Sequence, residues 1–119
     1  MKKKIIIAED NDLFRSILSY RLEKDGYDVK VFDNGKKAAT FMYENNFDLL
    51  ITDLQMPVMD GMELIQVVRK YISKTIPIMV ISSTGDEADK LKILKMGGDV
   101  YVSKPVMAGE LSVRVKYLI

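Results

Sequence analysis

The 119-residue chain contains no cysteine, which excludes disulfides, thiolate metal sites and thiol chemistry. It contains no histidine either. That removes the commonest general base and the commonest ligand of transition metals, so any metal site must use oxygen ligands and suit a hard cation. A charge of one sign is also lacking: 18 Lys and Arg face 17 Asp and Glu. Overall charge therefore gives no reason to expect direct nucleic-acid binding. Long apolar runs are missing too. The basic start, Met1 to Lys4, leads into Ile5-Ile6-Ile7-Ala8, and the run stops at Glu9-Asp10, far short of a signal-peptide core or a membrane span. These absences describe a cytoplasmic chain without a membrane segment. There is no internal repeat, linker or low-complexity stretch, and the length suits one domain over residues 1–119 with one core.

What is present alternates. Ile5 to Ala8 reads as a strand covered on both faces. Asn11 and Asp12 offer an N-cap for a helix with Leu13, Phe14, Ile17, Leu18 and Leu22 at helical spacing, ended by Asp25-Gly26. Tyr27 to Phe32 alternates like a half-exposed strand, Asn34-Gly35 turns, and Ala38, Ala39, Phe41 and Met42 mark a second helix. Leu49-Leu50-Ile51 is a buried strand stopping at Thr52-Asp53. Pro57 and Gly61 bracket a loop before a helix with Met62, Leu64, Ile65, Val67 and Val68. Pro77 opens the strand Ile78 to Ile81, and Ser82 to Gly85 is a polar loop. Ala88, Leu91 and Leu94 lie on a fourth helix ending at Gly97-Gly98. Val100 to Val102 is a fifth strand, stopped by Lys104-Pro105, and the remainder to Ile119 is a fifth helix. Five strands alternating with five helices predict a doubly wound α/β domain with a parallel sheet; right-handed crossovers leave few topologies, of which the order 2-1-3-4-5 with helices on both faces is favoured.

In open α/β sheets, ligands bind beyond the carboxyl ends of the strands, where the strand order reverses. In this order the reversal lies between strands 1 and 3. The residues at those ends are Glu9-Asp10, Asp53, Ser82-Ser83 and Lys104. Each alone has an ordinary explanation as a cap, turn residue or solvated side chain. Together they bring carboxylates, a hydroxyl and an ammonium to one edge. Clustered carboxylates raise one another's pKa unless a positive charge sits among them. Mg2+ suits such a site, because it takes oxygen ligands and is satisfied by one or two carboxylates plus a phosphate. Lys104 supplies a compact cation for a phosphate oxygen.

These residues resemble the receiver domains of bacterial two-component response regulators over essentially the whole chain. The matching segments are Ile5 to Asn11, Ile51-Thr52-Asp53-Leu54-Gln55-Met56-Pro57-Val58-Met59-Asp60-Gly61, Ile81-Ser82-Ser83 and Tyr101-Val102-Ser103-Lys104-Pro105. The Asp53 to Gly61 stretch is the most specific. The resemblance implies a flavodoxin-like (βα)5 fold, which is not independent of the strand order above. It also implies roles: Asp53 as phosphoryl acceptor, Glu9 and Asp10 as the acidic pair of a Mg2+ site that includes Asp53, and the backbone carbonyl of Gln55 as a further ligand. Ser82 matches the switch hydroxyl, Tyr101 the aromatic that moves with it, and Lys104 the phosphate-binding lysine, with a cis bond to Pro105. Departures are modest. Gly97-Gly98 stands where Gly-Ala is common and is expected to loosen the lead into strand 5. Ser83 stands where Ala is common. The last helix lacks the usual acidic or Ser cap near Val106 to Gly109, which implies fraying there.

The implied function is a phospho-acceptor switch, not an enzyme in the ordinary sense. Its partners would be a histidine kinase or phosphotransfer protein and a downstream target or attached output domain. Two other classes stay open at this point. A Mg2+-dependent phosphatase with an aspartyl nucleophile usually carries a second Asp two residues later, where this chain has Gln55. A flavin-binding module would need a Ser-, Thr- and Gly-rich cradle after strand 1, where this chain has Glu9-Asp10.

Overall fold

The computed structural model describes residues 2–83 and 86–119. Thr84 and Gly85, at the end of the expected polar loop after the fourth strand, lie outside the described residues. The elements are β1 (Lys4–Ala8), α1 (Asp12–Lys24), β2 (Asp28–Phe32), α2 (Gly35–Glu44), β3 (Leu49–Thr52), α3 (Gly61–Val67), β4 (Ile78–Ser82), α4 (Glu87–Met96), β5 (Val100–Ser103) and α5 (Ala108–Leu118). A π-helical turn, Val68–Ile72, continues α3. The strands form one parallel sheet, as the alternation predicts, and its order is β2-β1-β3-β4-β5, the one favoured above.

Successive side chains of a strand point to opposite faces, and the buried strands divide accordingly. Ile6, Ala8, Leu50, Ile78 and Val80 pack with Ala38, Met42, Leu64, Ile65, Val68 and Ile93 from α2, α3 with its π-turn, and α4. Ile5, Ile7, Leu49, Ile51, Met79 and Ile81 pack with Leu18, Leu22, Leu111 and Val115 from α1 and α5. Each fully buried aliphatic side chain contributes roughly 1.5–3 kcal/mol. The three central strands, β1, β3 and β4, thus hold the sheet rigidly where the polar ends emerge. β2 is an edge strand: Lys30 is exposed as its alternation implies, but Val31, on the opposite face, is exposed too.

Several expectations need correction. β4 includes Ser82 and β5 includes Ser103, so Ser82 is the last strand residue and does not open a loop. On α1 only Leu18 and Leu22 are buried, while Leu13 is 71% and Ile17 50% exposed. On α4 the anchoring residue is Ile93, and Leu91 and Leu94 face solvent. A helix lying over a sheet buries a narrow stripe, and spacing alone does not say which neighbouring row fills it. The Gly97-Gly98 lead is tied down: Gly97 caps α4 with φ +118°, a conformation that favours glycine. Its carbonyl accepts hydrogen bonds from Arg69 Nε (3.1 Å) and Nη2 (2.7 Å), and Nη2 also bonds Asp99 at 3.0 Å. The missing cap of α5 is observed, since Met107 makes no side-chain cap bond, yet Leu111 and Val115 anchor the helix.

Candidate functional site

The β1–β3 ladder carries the acidic residues to the carboxyl edge. Ala8 pairs with Thr52, and the Asp53 N–H donates to the Ala8 carbonyl at 3.0 Å. Asp53 is thus held by the sheet itself. The chain then turns sharply. The Asp53 Oδ1 accepts from the Leu54 N–H at 2.6 Å and, at 3.5 Å, from the Gln55 N–H. Gly61 permits the turn to close, because a Cβ there would collide with the Asp53 carbonyl oxygen and sit 2.8 Å from Leu54 Cα. The Gly61 N–H instead donates to the Leu54 carbonyl at 2.8 Å. Asp60 caps α3 in a reciprocal box with Glu63, so the helix needs nothing from Asp53 and its carboxylate is left to the pocket.

Lys104 closes the site from the other side. Its N–H donates to the Ser82 carbonyl at 2.8 Å, and the Lys104-Pro105 bond is cis. Its Nζ donates to Glu9 Oε1 at 2.8 Å and to Asp53 Oδ2 at 2.9 Å. Glu9 is only 2% exposed and Asp53 8%, so both carboxylates sit in a poorly solvated wall. Burial pushes the Glu9 carboxyl above the ordinary 4.5. The bonds from Lys104 and the Asn11 N–H offset this only in part, and the Asp53 charge raises it further. For Lys104, burial works against the ammonium, but the bonds to Glu9 and Asp53 outweigh it and hold its pKa above 10.5.

Glu9, Asp10 and Asp53 each offer a carboxylate oxygen within 4.8 Å of the others. Asp10 is exposed and faces the open side. Ser82, 1% exposed, ends the strand next to β3, two residues beyond the partner of Thr52. Tyr101 pairs with Val80 and packs, half-buried, against the α2–α3–α4 side of the core. Alternation along β4 and β5 therefore puts Ser82 and Tyr101 on the same sheet face. Gln55 is exposed in the turn, with its N–H directed at Asp53.

Three neighbours were not foreseen as part of the site. Asn11 caps α1, accepting from the Phe14 N–H at 2.8 Å, while its own N–H donates to Glu9 Oε2 at 3.1 Å. Arg15 donates to the Glu9 carbonyl at 2.9 Å. The Phe14 ring lies 4.5 Å from the Lys104 ammonium. The signal available was the cap at Asn11, which places the first turn of α1 directly beside the acidic pair.

An open doubly wound sheet with an acidic, lysine-bearing pocket at its switch point defines the class. The family model of the response regulator receiver domain matches residues 5–116, and the chain belongs to that family: it is a receiver domain of a two-component response regulator. It is similar to a putative response regulator from Chloroflexus aurantiacus, at 32% identity over 99% of this chain and 98% of that one, with TM-score 0.93. It is also similar to the chemotaxis response regulator CheY4 of Vibrio cholerae, at 25% identity over the whole of both chains, with TM-score 0.94. The receiver domain of a sensor histidine kinase from Pseudomonas aeruginosa shares the fold, at 23% identity over 99% of this chain and 98% of that one, with TM-score 0.90; that protein has a magnesium ion coordinated in its active-site cleft. Among the described residues, no helix is long and apolar enough to cross a membrane.

Proposed function

We propose that Asp53 accepts a phosphoryl group from a phosphohistidine of a partner kinase or phosphotransfer protein, and that the resulting acyl phosphate switches the surface of this single domain. The observation that carries the reading is the geometry of Asp53. One carboxylate oxygen is pinned by backbone N–H groups and the other is bonded to the Lys104 ammonium 2.9 Å away.

The carboxylate is a nucleophile that needs no general base, which suits a chain without histidine. Its oxygen forms a bond to phosphorus as the phosphorus–nitrogen bond of the donor breaks. The electron pair leaves on the imidazole nitrogen. Lys104 faces the phosphoryl oxygens and balances their charge as they approach. The residues fit a hard divalent cation: three carboxylates, Glu9 and Asp53 buried and Asp10 exposed, face one ammonium, which leaves negative charge uncompensated. Glu9, Asp10 and Asp53, with the Gln55 carbonyl, would hold Mg2+. When bound, Mg2+ supplies charge neutralisation at the phosphoryl oxygens. The magnesium in the cleft of the Pseudomonas relative supports this choice of ion.

The test is intact-mass spectrometry after treatment with acetyl phosphate. Wild type should gain one phosphoryl group with Mg2+ and none with EDTA, and Asp53→Asn should gain none while remaining folded. An undiminished gain in Asp53→Asn removes Asp53 from the role.

A further inference from the structure

We infer that Phe14 is a positioning residue for Lys104, holding the ammonium on the acceptor carboxylate through the face of its ring. The inference rests on the acceptor reading and adds a residue to it. Phe14 is half-buried and packs against the α1–α5 half of the core, which restrains its ring. The ring centroid lies 4.5 Å from Lys104 Nζ, within the range where the negative face of an aromatic ring attracts a cation. The other two ammonium–ring contacts among the described residues are longer, at 5.7 Å for Lys24 on Tyr20 and 5.3 Å for Lys70 on Tyr71. Both involve tyrosines more than 60% exposed, where water weakens the attraction. The Lys104 side chain is only 21% exposed, so its contact is partly desolvated and correspondingly stronger.

The contacts close into a loop. Glu9 Oε2 accepts from the Asn11 N–H, Asn11 Oδ1 accepts from the Phe14 N–H, the Phe14 ring faces Lys104, and Lys104 donates back to Glu9 Oε1. Two carboxylates fix the ammonium from one side and the ring covers another. A flexible four-carbon stem is thereby held to one position. When a phosphoryl group approaches Asp53, the Asp53–Lys104 bond must be exchanged for one to a phosphoryl oxygen. The ring contact survives that exchange and keeps the ammonium in reach.

The experiment compares Phe14→Leu, which fills much of the space without a π face, with Phe14→Tyr, which keeps the face. The readout is the rate of phosphoryl gain from acetyl phosphate and Mg2+, followed by intact mass. Phe14→Leu should be slower by roughly three- to ten-fold, the worth of a partly shielded ammonium–ring contact, and Phe14→Tyr should recover the wild-type rate. A second readout needs no activity. In the metal-free wild type, the Lys104 ε-methylene protons should resonate upfield of ordinary lysines because of the ring current, and Phe14→Leu should abolish that displacement. Ordinary lysine shifts in the wild type overturn the inference. So does a Phe14→Leu rate equal to wild type, or a Phe14→Tyr rate as slow as Phe14→Leu. If Asp53→Asn is inert while Phe14→Leu runs at the wild-type rate, the acceptor reading stands and only the role of Phe14 falls.

Discussion

Glu9 and Asp10 are adjacent in sequence, yet the fold gives them opposite surroundings. Glu9 continues β1 inward and is almost fully buried, while Asp10 points to solvent. The same carboxylate chemistry therefore meets different costs. Burial dominates at Glu9 and lifts its pKa above 4.5, so the native state holds a proton there at a pH where the unfolded chain has released it. By linkage, stability must then rise as pH falls through the raised native value toward 4.5, and this gain is complete below the unfolded value. Glu9→Gln lacks the titrating group. In EDTA, urea midpoints measured from neutral pH downward should show wild type gaining stability relative to Glu9→Gln as pH approaches 4.5. Parallel curves for the two proteins would mean that Glu9 is not the group penalised by burial.

At the scale of elements, the β3–α3 loop carries the clearest cost. Val58 has φ +69° and is 77% exposed, and the Met59 N–H donates to the Pro57 carbonyl at 2.7 Å across it. This is a tight three-residue turn of the rare left-handed kind, centred on a β-branched residue poorly suited to it. A non-glycine residue held in so sparsely populated a conformation costs on the order of 1–3 kcal/mol, and the exposed Val58 side chain recovers little by packing. Asn adopts positive φ more readily than a β-branched residue, without the added unfolded-state freedom of glycine. Val58→Asn should therefore stabilise the domain by roughly 0.5–1.5 kcal/mol. The expected observation is a higher urea midpoint at unchanged slope; a lower midpoint would contradict it. The loop itself was legible, because Pro57 and Gly61 punctuate it, but its strain was not. A Pro-Val-Met sequence does not announce a positive φ; the joint demands of Gly61 on Leu54 and of the Met59 carbonyl on the Gly35 N–H impose it. For the same reason the strand runs were readable from Ile5-Ile6-Ile7 and Leu49-Leu50-Ile51, whereas the choice of Ile93 over Leu91 and Leu94 depended on how α4 lies on the sheet. The acidic residues and Lys104 could be placed at one edge because parallel strands share an end. Phe14 could not, because a helical apolar residue is ordinarily assigned to the core.

Across the whole molecule, anchoring is uneven in a way that bears on signalling. Helix α2 buries Gly35, Ala38, Ala39 and Met42, whereas α4 buries Ile93 alone among its described residues. A lightly packed element is the one whose displacement costs least, and α4 begins five residues after Ser82 in the chain. Ser82 and Tyr101 share the sheet face that α4 covers. A phosphoryl group on Asp53 would add a strong acceptor at the end of β3. The Ser82 hydroxyl, at the end of the neighbouring strand, is the donor expected to turn toward it. The space it leaves can admit Tyr101, a large amphipathic ring already half-buried against that side of the core. The result would be a shifted α4–β5–α5 surface. The phosphoryl group can bias this equilibrium only by its preference for one of the two states, and on this route the Ser82 bond would carry that preference. Beryllofluoride with Mg2+, which mimics the phosphoryl group, should therefore move amide resonances of α4, β5 and α5 in the wild type. In Ser82→Ala, residues around Asp53 should still respond while most of the α4–β5–α5 change is lost. A response confined to the neighbourhood of Asp53 in the wild type would rule out this route, and an undiminished remote response in Ser82→Ala would show that another group carries the signal from the acceptor to α4.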